Sequence, residues 1–356
     1  MLALHQTLSA VARTQLLSEV TSRHRDYYLA LVDEDREDWQ RIEEIYPQVA
    51  FSWQQGSSKG NEGTHLFNFV WHLRIYQERR GLWDDKLQWA EQALHFAQSH
   101  NLPEQTASMM VNIGFVHNAL GEKEKALAYY EQALPLRRQV GDKAGEATTL
   151  NNIGAVYSAL GEKAQALVYY EQALPLRRQV GDKAGEAITL NNIGRVYSAL
   201  GEKGQALAYY EQALPLWRQV GDKAGEASTL NNLGGVYSAL GEKEKALTYY
   251  EQALPLWRQV GDKAGEATTL NNIGRVYDAL GEKAQALAYY EQALPLRRQV
   301  GDRWGESVTC YNMAMVYRGL GDLAAAEQLL LRTVDLDEAI DHPDLASDRA
   351  MLEQVR

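Results

Sequence analysis

The residue types and spacings that carry enzyme chemistry are missing from this sequence. It contains no G-x-x-x-x-G-K-[ST] phosphate loop, no G-x-G-x-x-G, no H-E-x-x-H and no G-x-S-x-G. The glutamates Glu122 and Glu124 are interpreted as solvated charge at a helix start rather than as an acid–base pair. Intrinsic catalysis is therefore the least favoured class of function, and no catalytic residue, metal or cofactor is predicted.

The lone cysteine and the histidines are interpreted as packing residues. Cys310 is the single cysteine, which excludes an internal disulfide and a cysteine-based zinc cluster. It takes the place of Leu150 in the repeats described below, so we predict a small core residue rather than a nucleophile. His117 takes the place of Tyr157 and is predicted to be half-buried in the core. The histidines avoid metal-ligand spacing.

Charge and hydropathy disfavour two classes of partner. The 356 residues carry a formal net charge of −11, which argues against general binding to nucleic acid or anionic lipid. No apolar run approaches the roughly 20 residues of a membrane helix, and the opening stretch MLALHQTLSAVARTQLL lacks the regions of a signal peptide. The sequence thus predicts a cytoplasmic protein without a nucleic-acid or membrane partner.

A period of 40 residues runs through most of the chain. The block from Asn151 to Leu190 recurs with few changes, and a glycine recurs at the same place in each unit: Gly121, Gly161, Gly201, Gly241, Gly281 and Gly321. Asn101 lies where a later unit has Gly141, and asparagine commonly replaces glycine in a left-handed helix C-cap. Such self-similarity is typical of repeat architectures, and seven units are predicted over residues 61–340.

Each unit is predicted to form two helices. Helical spacing relates the apolar residues of both halves: Ala147, Leu150, Ile153 and Tyr157 in the first, and Ala166, Leu167, Tyr170 and Ala173 in the second. Gly161 and Gly181 end the two helices, and Asp182 is predicted to cap the next. Gly154 is predicted to permit close approach of two backbones. One pair cannot bury both apolar faces, so the pairs must stack, and the predicted fold is an all-α solenoid.

Five of the second helices contain an interior proline: Pro135, Pro175, Pro215, Pro255 and Pro295. An interior proline costs roughly 3 kcal/mol through a lost hydrogen bond and a ring clash. We predict a bend at each proline rather than a break, with the cost offset by packing between repeats.

This spacing resembles the tetratricopeptide repeat. Leu150, Ile153, Gly154 and Tyr157, followed by Ala166 and Tyr170, fall at the positions of W-x2-L-G-x2-Y and A-x3-F. The unit is longer than the usual length of about 34 residues and is similar to the repeats of kinesin light chains and many bacterial regulators. The resemblance implies a right-handed superhelix of antiparallel helix pairs. Its concave groove would hold an extended peptide or a partner's helix.

The N-terminal region resembles another group of proteins. The segment HRDYYLALVDEDREDWQRIEEIYPQVAFSWQQ is similar to a stretch of bacterial signal-transducing NTPases of the NB-ARC/STAND type, where it follows a winged-helix domain and leads into sensor repeats. LHQTLSAVARTQL, from Leu4, resembles the tail of such a winged helix. We therefore predict an N-terminal helical cap over 1–60, helix pairs over 61–340 and a C-terminal capping helix over 341–356 that begins near Asp341 or Asp344.

Two asparagine ladders are predicted to line the groove. The outer ladder is Asn151, Asn191, Asn231 and Asn271, and the inner ladder includes Asn152, Asn192, Asn232 and Asn272. The inner ladder persists in the degraded end units and is interpreted as mainly structural, bonding to neighbouring backbone. The outer ladder is the better candidate for a ligand's peptide groups, because an amide both donates and accepts. Solvated amides on an unused face are the alternative.

Further groove-side candidates lie on the same face of the first helices. Arg195 and Arg275, with Gly235 between them in the repeat register, are predicted to form a basic site for a carboxylate or an acidic segment. Charge balance with nearby Asp278 and glutamate residues is the alternative interpretation of the two arginines. The serines of this face are Ser158, Ser198 and Ser238.

Two aromatic features have competing interpretations. Trp217 and Trp257 replace an arginine of sister repeats, which indicates a boundary position that covers apolar surface, and a paired aromatic hot spot is the alternative. In the doublet Tyr169-Tyr170, one ring is predicted to pack within its repeat and the other against the next.

The sequence favours a non-enzymatic protein–protein interaction scaffold or sensor module, binding an extended peptide or partner segment in the groove. The alternative is the regulatory sensor arm of a STAND or NB-ARC NTPase, or of a protease system, whose catalytic domain lies elsewhere. Both hypotheses belong to bacterial signal transduction, with a linked or separate NTPase or effector as partner.

Overall fold

The computed structural model describes residues 26–28, 30–31, 39–57 and 64–356, and these residues contain helices but no strand. They divide between Leu176 and Arg177 into two compact units. The helices that begin in the first unit are α1 Trp39–Ser57, α2 Thr64–Arg80, α3 Trp83–Ser99, α4 Pro103–Ala119, α5 Lys123–Gln139, α6 Lys143–Ala159 and α7 Lys163–Val180. Those of the second unit are α8 Lys183–Ala199, α9 Lys203–Val220, α10 Lys223–Ala239, α11 Lys243–Val260, α12 Lys263–Ala279, α13 Lys283–Val300, α14 Arg303–Leu320, α15 Leu323–Ala339 and α16 Leu345–Val355.

Consecutive helices form pairs, and in each unit the pairs stack on their neighbours. In the second unit α8 packs on α9, α10 on α11, α12 on α13 and α14 on α15, and the second helix of each pair also packs on the first helix of the next. The predicted all-α fold of stacked helix pairs is confirmed. No helix in the described part of the chain is long and apolar enough to cross a bilayer.

The two ends of the chain were predicted to form an N-terminal cap and a C-terminal helix. Of the cap predicted over 1–60, α1 is described, and its Trp53 ring stacks on Trp89 of α3 with centroids 4.6 Å apart. The winged-helix-like stretch from Leu4 lies outside the described residues. The boundaries at 60 and 340 stay predictions, although a helix does occupy residues 345–355.

Short turns with fixed backbone geometry separate the helices. Gly181 adopts a φ of +71°, and Asn101 adopts +54° at the equivalent place, as the sequence predicts for a left-handed C-cap. The Asp182 carboxylate accepts a hydrogen bond from the Gly185 N–H at 2.8 Å, which confirms the predicted N-cap. A cap of this kind is worth about 1 kcal/mol, and it recurs in most repeats.

Within each unit, buried tyrosines join a helix pair to the pair that follows it. In the second unit the Tyr210 ring covers Gly194 of its own pair, where an added Cβ would lie 2.7 Å from the ring. The same ring packs against Leu233 and Val236 of the following pair. The close approach predicted at the helix glycine is therefore made by an aromatic ring rather than by a second backbone.

The neighbouring tyrosine of each doublet stays within its repeat. Tyr209 stacks on Tyr197 with ring centroids 5.5 Å apart and an interplanar angle of 12°, and Tyr169 stacks on Tyr157 in the same way. Of each doublet, one ring packs inside its repeat and the other reaches the next, as predicted.

The repeat position that holds tryptophan in some repeats and arginine in others is buried between helix pairs. Trp217 is 5% exposed and Arg297 is 9% exposed. The Trp217 ring lies over Gly225 at the start of the next pair, and Arg297 lies over Gly305 in the same manner. The structural interpretation of the two tryptophans is confirmed, because little of either ring is left for a partner.

The interior prolines do not interrupt their helices. α5, α7, α9, α11 and α13 each continue through the proline to their C-terminal turn. The predicted absence of a break is confirmed, and the bend at each proline stays a prediction.

The C-terminal helix covers the last pair over a buried polar contact. Leu352 and Val355 of α16 pack with Leu330 and Val334 of α15. Beneath them the fully buried Asp337 accepts a hydrogen bond from the Ser307 hydroxyl at 2.5 Å.

The carboxyl group of Asp348, on α16, faces Asp337. Burial, together with the hydrogen bond to Asp337 and its charge, raises the pKa of Asp348 to about 7. We therefore expect α16 to dock most firmly below that pH, where the protonated Asp348 carboxyl can donate to Asp337.

Substituting the buried helix glycine tests the tyrosine contact. Gly194→Ala should lower the free energy of unfolding by about 1–3 kcal/mol in urea denaturation, because the methyl group overpacks against Tyr210. Gly204→Ala is the matched control in the same repeat, since a Cβ there would meet no described atom within 4 Å. Equal midpoints for the two variants would contradict the proposed packing.

The carboxyl pair predicts a pH-dependent stability difference. Since the folded pKa of Asp348 lies above its ordinary value, its contribution is fully present below about pH 4 and is lost as the pH rises through about 7. Asp348→Asn supplies an N–H donor at every pH, so its Tm relative to wild type should rise between pH 5 and pH 8. The exposed Asp335→Asn serves as control, and a parallel rise in that variant would refute the assignment to the pair.

Candidate functional site

A cavity of about 360 Å³ opens on the first-helix face of the second unit. We use this term for the side formed by α8, α10 and α12 that bears the asparagine ladders. Six side chains that the sequence places in the groove lie around the cavity: Ser198, Asn231, Asn232, Ser238, Asn272 and Arg275. The structure thus brings together members of both ladders, the serines and one arginine.

Gly235 opens the floor of this cavity. The residue is exposed, and a Cβ added to it would lie 3.7 Å from the Tyr250 hydroxyl oxygen. Because glycine has no side chain, the cavity extends between the first helices to the phenols of Tyr210 and Tyr250 on the helices behind. These tyrosines are the functional residues that the sequence analysis missed. The signal was Gly235 at a position where both flanking repeats have arginine.

The two phenols are donors without a partner. The rings of Tyr210 and Tyr250 are only 2% and 3% exposed, yet neither hydroxyl is hydrogen-bonded to a residue in the described part of the chain. Burial raises the pKa of Tyr250 to about 12, with Arg275 acting in the opposite direction. Tyr250 is therefore a neutral hydrogen-bond donor at physiological pH.

Arg275 is an unpaired cation on the rim. Between residues 143 and 300, ion pairs with aspartate or glutamate hold Arg177, Arg178, Arg218, Arg258, Arg297 and Arg298. Arg195 and Arg275 are exposed and form no ion pair with the described residues. The Asp278 carboxylate pairs with the Lys283 ammonium at 2.5 Å, and charge balance with Asp278 and nearby glutamates stays the alternative interpretation of the arginines.

The ladders interlock across repeats. The Asn231 Oδ1 accepts a hydrogen bond from the Asn272 Nδ2 at 3.3 Å. It also lies 3.2 Å from the Thr269 hydroxyl oxygen, whose single hydrogen is shared with the Gly265 carbonyl at 3.0 Å. The same pattern recurs at Asn191 and Asn271. The expectation that the inner ladder bonds to neighbouring backbone is thus wrong at these positions, because a side chain of the preceding outer ladder is its acceptor.

At Asn231 and Asn272, one polar atom of each side-chain amide takes no part in these hydrogen bonds. No hydrogen bond joins the Asn231 Nδ2 or the Asn272 Oδ1 to another residue of the described ranges. The lining of the cavity therefore retains one amide donor and one amide acceptor, which is the complement that a peptide group requires.

The serine positions serve mainly to fix helix ends. The Lys243 ammonium donates to the Ser238 carbonyl at 2.9 Å and to its hydroxyl at 3.4 Å. The Ser158 and Ser198 carbonyls accept from the lysine five residues later in the same way.

The other predicted groove residues lie outside the cavity lining. Asn151, Asn152 and Ser158 stand on α6 of the first unit, whereas Asn191, Asn192 and Arg195 stand on α8 and Asn271 and Asp278 on α12. The cavity therefore gathers one part of the predicted site and leaves the rest along the same helices.

The isolated reactive groups are packing residues. Cys310 is fully buried, and burial raises its pKa to about 11, so the predicted core role is confirmed. His117 is 7% exposed, so it is more deeply buried than predicted. Its ring nitrogen lies 2.5 Å from the Glu122 carboxylate. The described residues contain no group of three or more histidine, cysteine or acidic side chains suited to a metal.

Comparison with protein families and with solved structures agrees with this architecture. A family model described as a tetratricopeptide repeat matches residues 105–179, 169–219, 185–259 and 225–299, and a second model of the same description matches 308–338. None of the curated proteins compared with the chain is significantly similar to it in sequence.

Three solved structures share the fold at low sequence identity. BtubC (BKLC) from P. vanneervenii superposes with a TM-score of 0.55 at 22% identity, over 62% of this chain and 92% of its own. A STAND ATPase with a tetratricopeptide repeat sensor from Pyrococcus horikoshii superposes with a TM-score of 0.67 at 18% sequence identity, over 90% of this chain. The match covers 49% of that ATPase, so this chain spans about half its length. A Rap protein complexed with Competence and Sporulation Factor superposes with a TM-score of 0.58 at 15% sequence identity, over 92% of this chain and 100% of its own.

The interlocked ladder predicts a stability effect at Asn231. Asn231→Ala removes the acceptor of the Asn272 amide and should lower the free energy of unfolding by about 1–2 kcal/mol. Asn112→Ala is a suitable control, because the Asn112 amide donates to the Ser108 carbonyl of its own helix. If urea denaturation showed both variants to be equally stable, the cross-repeat bonds would not matter.

Proposed function

The chain belongs to the tetratricopeptide repeat family, and we propose that it is a non-enzymatic interaction module. In this proposal an extended peptide or partner segment lies along the first-helix face of the second unit. The supporting observation is the cavity at Gly235, where the Asn231 Nδ2 and the Asn272 Oδ1 stand without partners beside two buried phenols.

The proposed mechanism is recognition by a preorganised surface. The Asn231 amide is held by the bond from Asn272 and by its contact with the Thr269 hydroxyl, so its free N–H already points in a fixed direction. A ligand that binds there orders few protein side chains, which lowers the entropic cost of association. The Rap protein supports this use of the fold, since its structure was determined in complex with Competence and Sporulation Factor.

A second candidate is the sensor arm of a STAND-type NTPase or of a protease system. The observation that favours it is the similarity of the fold, over 90% of this chain, to a STAND ATPase whose sensor is built of the same repeats. In that case ligand binding on the first-helix face would be transmitted to a linked or separate catalytic part in the bacterial cytoplasm.

Filling the cavity tests the leading proposal. A display library of random twelve-residue peptides selected on the whole chain should yield binders, and Gly235→Met should weaken their binding at least about tenfold, a change of about 1.4 kcal/mol. Methionine is compatible with this position because Met315 occupies the equivalent place in a later repeat. Binding is measured by fluorescence anisotropy of labelled peptides.

Ala155→Met is the matched control at the equivalent position of the first unit. It should leave the anisotropy titration unchanged, and both variants should keep the helical circular dichroism of the wild type. A library that yields no binder, or binders indifferent to Gly235→Met, would overturn the proposal.

A further inference from the structure

A pair of one acid and one aromatic ring recurs where each first helix passes into its second helix. We call this surface the turn edge, and in the second unit it carries Tyr197 with Glu202, Tyr237 with Glu242 and Tyr277 with Glu282. The three tyrosines are half-buried, and each stacks on a tyrosine of its own second helix. None of these residues lines the Gly235 cavity, so the turn edge is a separate surface.

One of these pairs holds a cation that the chain itself supplies. The Lys245 ammonium forms an ion pair with the Glu242 carboxylate at 2.5 Å, and it lies 5.2 Å from the centre of the Tyr237 ring. The hydrogen bond to Glu242 raises the pKa of Lys245, so the amine is charged at neutral pH. A ring face attracts such a cation through its negative potential. This repeat therefore shows how an ammonium group binds to the turn edge.

The neighbouring repeats keep the acid and the ring but not the lysine. Gln205 and Gln285 stand at the position of Lys245, and both are exposed. A neutral glutamine does not compensate a carboxylate. Glu202 and Glu282 are likewise exposed, and neither forms an ion pair with a residue in the described ranges. The chain thus repeats the binding partners of the cation without repeating the cation.

Two carboxylates act on the Tyr277 ring. Burial raises the pKa of Tyr277, and the charges of the adjoining tyrosine and of Glu251 and Glu282 raise it further. Glu251, which belongs to the preceding repeat, is exposed and has no ion-pair partner among the described residues. The nearby Lys283 is paired with Asp278. Two uncompensated negative charges therefore flank a ring that is partly accessible.

We propose that the turn edge of the second unit binds a basic partner segment, with a lysine of that segment placed between the Tyr277 ring and the Glu282 carboxylate as Lys245 is placed in the preceding repeat. The partner is opposite in charge to the surface. A nucleic acid or an anionic lipid is excluded as the occupant, because it has the same sign of charge as the glutamates.

The partner is expected to carry more than one lysine. The pair of Tyr197 and Glu202 lies two repeats before Tyr277 on the same edge, and it also lacks a lysine of its own repeat. A single ammonium on an exposed ring and carboxylate is held weakly. A segment that reaches both pairs gains affinity because the second contact becomes intramolecular.

Exchanging lysine and glutamine between repeats tests this proposal. The probe is fluorescein-labelled octalysine, titrated with the whole chain by fluorescence anisotropy at low ionic strength, where exposed charges are least screened. Gln285→Lys places the chain's own cation beside Glu282 and should weaken octalysine binding about fivefold. Lys245→Gln removes such a cation and should strengthen binding by a similar factor. Both substitutions reproduce residues found at equivalent positions of sister repeats, so the fold should be kept.

The control variants make the same charge changes away from the turn edge. Gln299→Lys adds a positive charge at an exposed position about four turns, or about 21 Å, further along α13. Lys263→Gln removes one from an exposed position at the start of α12, whereas Tyr277 lies near the end of that helix. Both controls should bind octalysine within about 1.5-fold of wild type.

A label on the ring reports the site directly. With a fluorine-labelled tyrosine at Tyr277, the fluorine NMR resonance should shift as octalysine is added to the otherwise wild-type chain. The same resonance should move much less in Gln285→Lys, where the ring already has a cation beside it.

The outcomes separate this surface from the general attraction of an acidic chain for a cation. Equal weakening by Gln285→Lys and Gln299→Lys, or a Tyr277 resonance that does not respond to octalysine, would rule out the proposed lysine position. Gly235→Met should leave octalysine binding unchanged, because the turn edge is independent of the proposed peptide site. Loss of octalysine binding in that variant would show that the probe lies on the first-helix face and would refute the proposal.

Discussion

The contact of a buried tyrosine with a helix glycine is the interaction on which the rest of the structure depends. The ring of Tyr250 fills the space above Gly234 in its own pair and packs on Ile273 and Val276 of the next. One side chain thus ties two helices of a repeat to each other and to the following repeat. Since a pair cannot bury both of its apolar faces alone, this ring stabilises the stack as well as the pair.

The same geometry directs the phenol hydroxyl toward the first-helix face. Whether the hydroxyl is exposed there depends on the residue that follows the glycine covered by the ring. At Gly235 no side chain covers the Tyr250 hydroxyl, and this structural residue lines the cavity proposed as the binding site. Packing and recognition are in this way carried by one residue, which explains why a repeat array without catalytic motifs presents a polar, donor-rich cavity.

Local signals in the sequence were sufficient for the helix pairs, because caps and apolar spacing act within one repeat. Asp182 caps its helix and Asn101 adopts a left-handed φ as the sequence indicates. The packing of one tyrosine ring against the next repeat was predicted, but hydrogen bonds between side chains of different repeats were beyond such reasoning. The bond from Asn272 to Asn231 and the contact of Asp348 with Asp337 depend on side-chain directions between helices of different pairs. Departures from the repeated pattern, Gly235 above all, were the usable signal for function.

The most direct measurement is a crystal structure of the chain with one of its selected peptides. We expect peptide density along α8, α10 and α12, with an acceptor atom of the peptide within about 3 Å of the Tyr250 hydroxyl oxygen and a peptide group on the Asn231 and Asn272 amides. A peptide seated on the second helices, or a Gly235 cavity left without a ligand atom, would contradict this expectation.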